Sequence, residues 1–142
     1  VGAFSTGMGS TDLAFAMVTG GNWFKVPQSI KIVFNGKPKE FVTGKDLILE
    51  IIRMIGVDGA LYKTLEFTGD TIQYLTMDDR FALCNMAIEA GAKNGIVAYD
   101  DITKKFMDER AIANDGLRAE PKIHYSDEDA TYCQVINIDV AN

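Results

Sequence analysis

The chain has 142 residues, enough for one domain with a core of its own. Hydrophobic residues make up 47% and charged residues 24%, the balance of a globular domain. With 14 basic against 20 acidic residues the net charge is −6, which argues against an electrostatic nucleic-acid binder. No stretch is apolar for long enough to span a membrane.

The sequence opens on Val1-Gly2-Ala3-Phe4, without a Met and without the basic start and apolar run of a signal peptide. It closes just after a strand-like pattern, on Asp139-Val140-Ala141-Asn142. Both ends read as cuts, so residues 1–142 are expected to be a single domain, an internal piece of a longer cytoplasmic protein. Cys84 and Cys133 cannot form a Cys-x-x-Cys metal site. Each falls in an apolar element; buried free thiols are the expectation for an intracellular chain, and a disulfide is the alternative.

Residues 2–12 are rich in Gly, Ser and Thr and lead into a helix through Asp12-Leu13-Ala14-Phe15-Ala16-Met17-Val18. Ser10 or Thr11 can cap it, and Asp12 suits the positive end of its dipole. Gly20-Gly21 ends it. Gly7-x-Gly9 invites a phosphate-loop reading, but the third glycine of the dinucleotide fingerprint is missing, so a closely packed small-residue turn is preferred. Trp23-Phe24-Lys25-Val26-Pro27 is an aromatic connector; Trp23 reads either as a packed domain-edge aromatic or as an exposed anchor for a partner.

Ser29-Ile30-Lys31-Ile32-Val33-Phe34 alternates as a strand with one wetter face. Asn35-Gly36 turns it, and Glu40-Phe41-Val42 is expected to return as a hairpin. Thr43-Gly44-Lys45-Asp46 opens a helix in which Leu47, Ile48, Ile51, Ile52 and Ile55 form one buried stripe, with Glu50 and Arg53 outside. Gly56 ends it. A glycine-punctuated loop leads to a short strand, Thr64-Leu65-Glu66-Phe67, and a turn at Gly69-Asp70. Ile72, Tyr74 and Leu75 form a small apolar element.

Thr76 and Asp79 make a capping box for the next helix, taken as Arg80 through Gly91. Asn94-Gly95-Ile96-Val97-Ala98 is a strand. Asp100-Asp101 caps a helix through Lys104, Phe106 and Arg110. Residues 111–130 are polar and irregular and hold the only histidine, His124, which reads as incidental. Tyr132 to Val140 alternates as the last strand. Helices and strands alternate throughout, which predicts a layered α/β domain. The Asn35-Gly36 turn favours a mixed sheet over a purely parallel one.

The helix at 80–91 carries the functional question. Asn85 and Glu89 are four residues apart and so share one face of an α-helix, among Phe81, Leu83, Met86 and Ile88. An amide and a carboxylate on an apolar helix must meet water at its edge or be satisfied by something specific. Glu89 can serve acid–base work, and Asn85 can orient it or donate to a cofactor. The plain structural alternative is that Glu89 lies at a wet edge while Asn85 bonds a neighbouring loop.

Cys84-Asn85-Met86-Ala87-Ile88-Glu89-Ala90-Gly91-Ala92 resembles the Cys-Asn-Met-x-x-Glu-x-Gly-Ala segment of the aconitase superfamily. Further blocks agree in order: Gly2 to Asp12, Trp23-Phe24-Lys25-Val26-Pro27, Lys45-Asp46-Leu47-Ile48-Leu49, Gly56-Val57-Asp58-Gly59-Ala60 and Tyr132-Cys133-Gln134-Val135-Ile136. The resemblance covers the whole chain. Within the superfamily it is nearest to the large subunits acting on isopropylmalate in leucine biosynthesis, with homoaconitate- and citrate-isomerising members as alternatives.

The resemblance implies an α/β/α layered domain with a mixed, mostly parallel sheet, of the type found in the iron–sulfur part of the family. It implies a hydro-lyase that isomerises a hydroxy-dicarboxylate by removing and re-adding water, with a 4Fe-4S cluster in the full-length protein and a small subunit as partner. Asn85 and Glu89 then stand in the cluster's environment, Asn85 by hydrogen bonding and Glu89 toward water or hydroxyl, neither being a metal ligand. The family's cluster-ligating cysteines and its Asp-Ser-His-Thr stretch have no match in this sequence. The chain alone is therefore expected to bind no cluster and to be inactive. A non-catalytic scaffold of the same fold is the other reading.

Overall fold

The computed structural model describes residues 1–113 and 122–141. In chain order they form α1 (Ser10–Thr19), β1 (Ser29–Asn35), α2 (Gly44–Ile55), β2 (Thr64–Thr68) and a 3₁₀ turn (Asp70–Tyr74). Then come α3 (Met77–Asn85), a second 3₁₀ turn (Met86–Ala90), β3 (Asn94–Val97), α4 (Asp101–Ala113) and β4 (Gln134–Asp139). Part of the polar segment expected at 111–130 thus continues α4, and residues 114–121 lie outside the described residues.

The layered α/β arrangement holds. The four strands lie in the order β3-β2-β1-β4, and every pair is parallel. The hairpin expected at Glu40-Phe41-Val42 is absent, and the reason is visible in the turn. Asp70 accepts a hydrogen bond from the Gly36 amide at 2.8 Å, and Thr71 donates its hydroxyl to the Gly36 carbonyl at 2.7 Å. These bonds fasten the turn to the loop after β2. The chain then crosses to α2 through Phe41, which sits at φ 69.

The register explains the core. Ile32 stands between Phe67 and Ile136, and Phe67 faces Val97 on the next strand. With Ile30, Phe34 and Leu65 these side chains form a continuous apolar layer. Leu47, Ile48 and Ile51 of α2 and Leu83 of α3 cover it, so the stripe read from the sequence is the buried one. Glu50 and Arg53 pair outside it through two bonds of 2.7 Å.

The two helices are joined at their starts. In α2, Asp46 accepts from the Thr43 amide and hydroxyl at 2.8 and 2.7 Å. In α3 the box is reciprocal: the Asp79 amide donates to the Thr76 hydroxyl, and the Thr76 amide donates to the Asp79 carboxylate. Asp79 also accepts from the Gly44 amide at 2.9 Å, tying one helix start to the other. A Cβ at Gly44 would collide with the Asp79 backbone, so this approach requires glycine.

The opposite face of the sheet carries Lys31, Val33, Glu66, Ile96, Val135 and Asn137, all half-buried or exposed. Glu66 accepts from the hydroxyls of Ser126 and Tyr132, both at 2.9 Å. Lys31 lies 5.0 Å from the Tyr132 ring centroid. Parallel sheets ordinarily bury both faces, and among the described residues this one is only partly covered on the side away from α2 and α3.

Candidate active-site cleft

A cleft of about 610 Å³ runs along the β3 edge. Ser5, Thr6 and Gly7 form one wall, and Phe81, Cys84, Asn85 and Ile88 of the α3 region form the other; Lys93 and Asn94 lie between them. Glu89 is exposed but does not line it. The α-helix expected through Gly91 stops at Asn85, and the chain continues as a 3₁₀ turn to Ala90. That change of pitch decides which side chains share a face. Residues three apart eclipse in a 3₁₀ turn, so Asn85 and Ile88 face the cleft together. Four residues now span about 120° beyond a full turn, and Glu89 points elsewhere. Neither the Asn85 nor the Glu89 side chain bonds a described residue: Glu89 lies at an exposed edge, as the structural alternative expected, whereas the loop bond it expected for Asn85 is not seen among the described residues.

The Cys84 thiol lines the same cleft and is half-buried. Burial pushes its pKa up, which keeps it a neutral thiol near pH 7. Cys133 was expected to be buried and is exposed; its thiol contacts the Ser29 carbonyl at 3.3 Å. Both cysteines are free. Among the described residues there is no cluster of three His, Cys, Asp or Glu side chains able to hold a metal ion.

Asn94 is buried between Thr64 and the cleft. Its carbonyl oxygen accepts from the Thr64 hydroxyl at 2.7 Å, while its amide nitrogen has no partner among the described residues. Below the cleft, the first turn of α3 is anchored by Arg80, which is fully buried. Arg80 grips both carboxylate oxygens of Asp100 at 2.7 Å and donates to the Ile72 carbonyl at 2.9 Å. Asp100 in turn caps α4 by accepting from the Thr103 amide and hydroxyl, as the sequence suggested for this position. Partial burial pushes the Asp100 carboxyl up, but Arg80 and Thr103 outweigh it and hold the carboxyl below its ordinary range.

Sequence reasoning passed over Arg80. The available signal was a basic residue placed just before the apolar stretch Phe81-Ala82-Leu83 of a capped helix. It also treated His124 as incidental. His124 lines a second cavity, of about 480 Å³, on the partly covered sheet face with Glu66, Tyr99 and Lys122. Gly7 lines the cleft but packs against nothing: a Cβ there would meet open space, so the expected tight turn does not form within this chain.

The geometry is that of a layered α/β domain with an edge cleft in which the Asn94 amide nitrogen has no partner among the described residues. Comparison with known proteins makes the class definite. The profile of the Aconitase family (aconitate hydratase) matches residues 1–142. The chain belongs to the aconitase family. It is 82% identical over 141 residues to the 3-isopropylmalate dehydratase large subunit of Aliarcobacter butzleri, covering 99% of this chain and 33% of that protein. The 3-isopropylmalate dehydratase large subunits of Sulfurovum sp. and Sulfurimonas denitrificans are 73% and 70% identical over 142 residues, again covering 33% of each. The chain thus spans about a third of the length of these curated relatives.

Proposed function

We propose that the chain is one domain of a 3-isopropylmalate dehydratase large subunit, offering Asn85 from the edge cleft and Glu89 from the exposed surface beside it to a reaction centre completed by other parts of that subunit. The observation that carries this is the match of 141 of the 142 residues, at 82% identity, to a protein of that name. The Asn85 side chain supports it by standing exposed in the edge cleft, where it is open to a group brought by another segment.

The donor set here does not fit a cluster's ligands. Cys84 and Cys133 stand on different elements, and among the described residues no group of three His, Cys, Asp or Glu side chains could hold a metal ion. The Asn85 side chain does fit a cluster's surroundings, offering N–H donors to sulfur or to a bound carboxylate. When bound, a 4Fe-4S cluster supplies a Lewis acid for the substrate's hydroxyl and carboxylate. This chain's part is to orient groups at that centre through Asn85 and to accept a proton or hydrogen bond from water through the Glu89 carboxylate. The substrate is a hydroxy-dicarboxylate, dehydrated and rehydrated between 2- and 3-isopropylmalate in leucine biosynthesis. The partner is the small subunit, and the setting is the cytoplasm.

The test uses the full-length large subunit, loaded with iron and sulfide and paired with its small subunit. Glu89→Gln and Asn85→Ala are each expected to lower isopropylmalate turnover about a hundredfold or more, with the cluster's absorbance retained. Near-normal turnover in both variants refutes the roles. Activity confined to homoaconitate or citrate refutes the substrate.

A further inference from the structure

The edge cleft beside β3 holds a cation without a counter-ion. Among the described residues that line it, Lys93 alone has a charged side chain, and no carboxylate is present. The other polar side chains of the cleft, Ser5, Thr6, Asn85 and Asn94, can all donate hydrogen bonds. Lys93 makes no ion pair with a described residue. Its neighbour Asn94 is 5% exposed, and the Asn94 Nδ2 has no partner among the described residues. An unpaired cation next to a buried N–H group without an acceptor marks a place for an anion.

The ammonium is held in place from two sides. The Lys93 amide donates to the Lys63 carbonyl, and the Lys93 carbonyl accepts from the Thr6 hydroxyl, both at 2.8 Å. The ammonium lies 5.5 Å from the Phe24 ring centroid and 5.8 Å from that of Tyr62, within reach of both ring faces. Phe24 is braced edge-on by Phe4. Tyr62 sits at φ 54, a left-handed conformation unusual for a bulky residue, and its amide donates to the Gly91 carbonyl at 2.9 Å. The Lys25 ammonium lies 6.0 Å from the same Tyr62 ring, so two cations gather there in a chain of net charge −6.

We propose that the cleft is a carboxylate site in which the Lys93 ammonium pairs with one carboxylate of the dicarboxylate substrate. This rests on the reading of the cleft as part of a hydroxy-dicarboxylate reaction centre. The volume of the cleft, about 610 Å³, suits a small molecule. The negative charge of the chain as a whole repels a dianion. An unpaired cation in a concave site reverses that locally and raises the substrate's concentration where Asn85 stands.

The experiment uses the full-length large subunit, loaded with its cluster and paired with its small subunit. Lys93→Gln is expected to raise the KM for isopropylmalate about tenfold while kcat stays within about twofold. Lys93→Arg keeps the charge and is expected to hold KM within about threefold of the unsubstituted enzyme. An unchanged KM in Lys93→Gln, or a loss that falls on kcat instead, overturns the proposal. Equal impairment in Lys93→Arg also overturns it, because it marks a packing role between Phe24 and Tyr62. A second readout needs no turnover: calorimetric titration with malonate, a dianion that has no hydroxyl to lose. Its dissociation constant is expected to rise about tenfold in Lys93→Gln and to depend less on added salt than in the unsubstituted enzyme. Equal malonate affinity in the two proteins, or no malonate binding, overturns the proposal. Malonate binding does not depend on which hydroxy acid is turned over, so failure of the isopropylmalate reading and failure of the Lys93 site are told apart.

Discussion

Asn85 and Ile88 look into the cleft together because the helix tightens at Met86; Glu89 loses that direction for the same reason. One carboxylate and one amide at helical spacing suggested a matched pair, and a local change of pitch separates them. Arg80 shows the opposite case, a residue whose importance comes entirely from distant partners. Its bidentate grip on Asp100 links the start of α3 to the cap of α4 across twenty residues of sequence. Arg80→Met removes the guanidinium but keeps the apolar stem. It leaves the Ile72 carbonyl and the Asp100 carboxylate without their partner. Because Asp100 reaches solvent, the expected cost is about 2–3 kcal/mol rather than that of a fully buried broken pair, read as a lower urea midpoint at unchanged m-value.

Among the elements, α2 and α3 act as one unit through Asp79. Its carboxylate serves the Thr76 amide and hydroxyl and the Gly44 amide, so Asp79→Ala removes half of the α3 capping box and the tie to the start of α2, while the residue-79 amide still donates to the Thr76 hydroxyl. About 1–2 kcal/mol of stability is expected to be lost at pH 7. Burial pushes the Asp79 carboxyl up, but its hydrogen bonds to Thr76 and Gly44 hold it below the ordinary value, and Asp100 is lowered likewise. A carboxyl lowered in the fold binds fewer protons than in the unfolded chain. Its contribution is therefore complete above the unfolded value, about pH 4, and is lost as pH falls through the lowered folded value. Denaturation followed from pH 7 to pH 2 should show this acid-side loss. The Asp79→Ala protein should show a shallower slope below about pH 4, and an identical slope would exclude Asp79 as a contributor.

At the scale of the whole molecule, one face of the parallel sheet is finished and, among the described residues, the other is only partly covered. Phe67 stands at the centre of the finished face, stacked with Phe34 at 6.3 Å and paired in register with Ile32 and Val97. Phe67→Ala is expected to destabilise the domain by about 3–5 kcal/mol in chemical denaturation, because the cavity lies where sheet and helices meet.

The elements themselves were legible because their signals are local: apolar stripes at helical period, the capping box at Thr76, and alternation in β1. The family was legible because the blocks around Asn85 and Glu89 stand in order along the whole chain. The purely parallel sheet was not legible. Asn35-Gly36 is a hairpin signal in isolation, and only its bonds to Asp70 and Thr71, more than thirty residues away, turn the chain toward α2 instead. The sequence by itself thus determined most of the helices and strands, which faces are apolar, and which family the chain belongs to. Tertiary structure alone decided the strand directions, the partners of Arg80, and which of Asn85 and Glu89 faces the cleft. Periodicity is written into neighbouring residues, whereas pairing, pitch and burial depend on what the rest of the chain brings alongside.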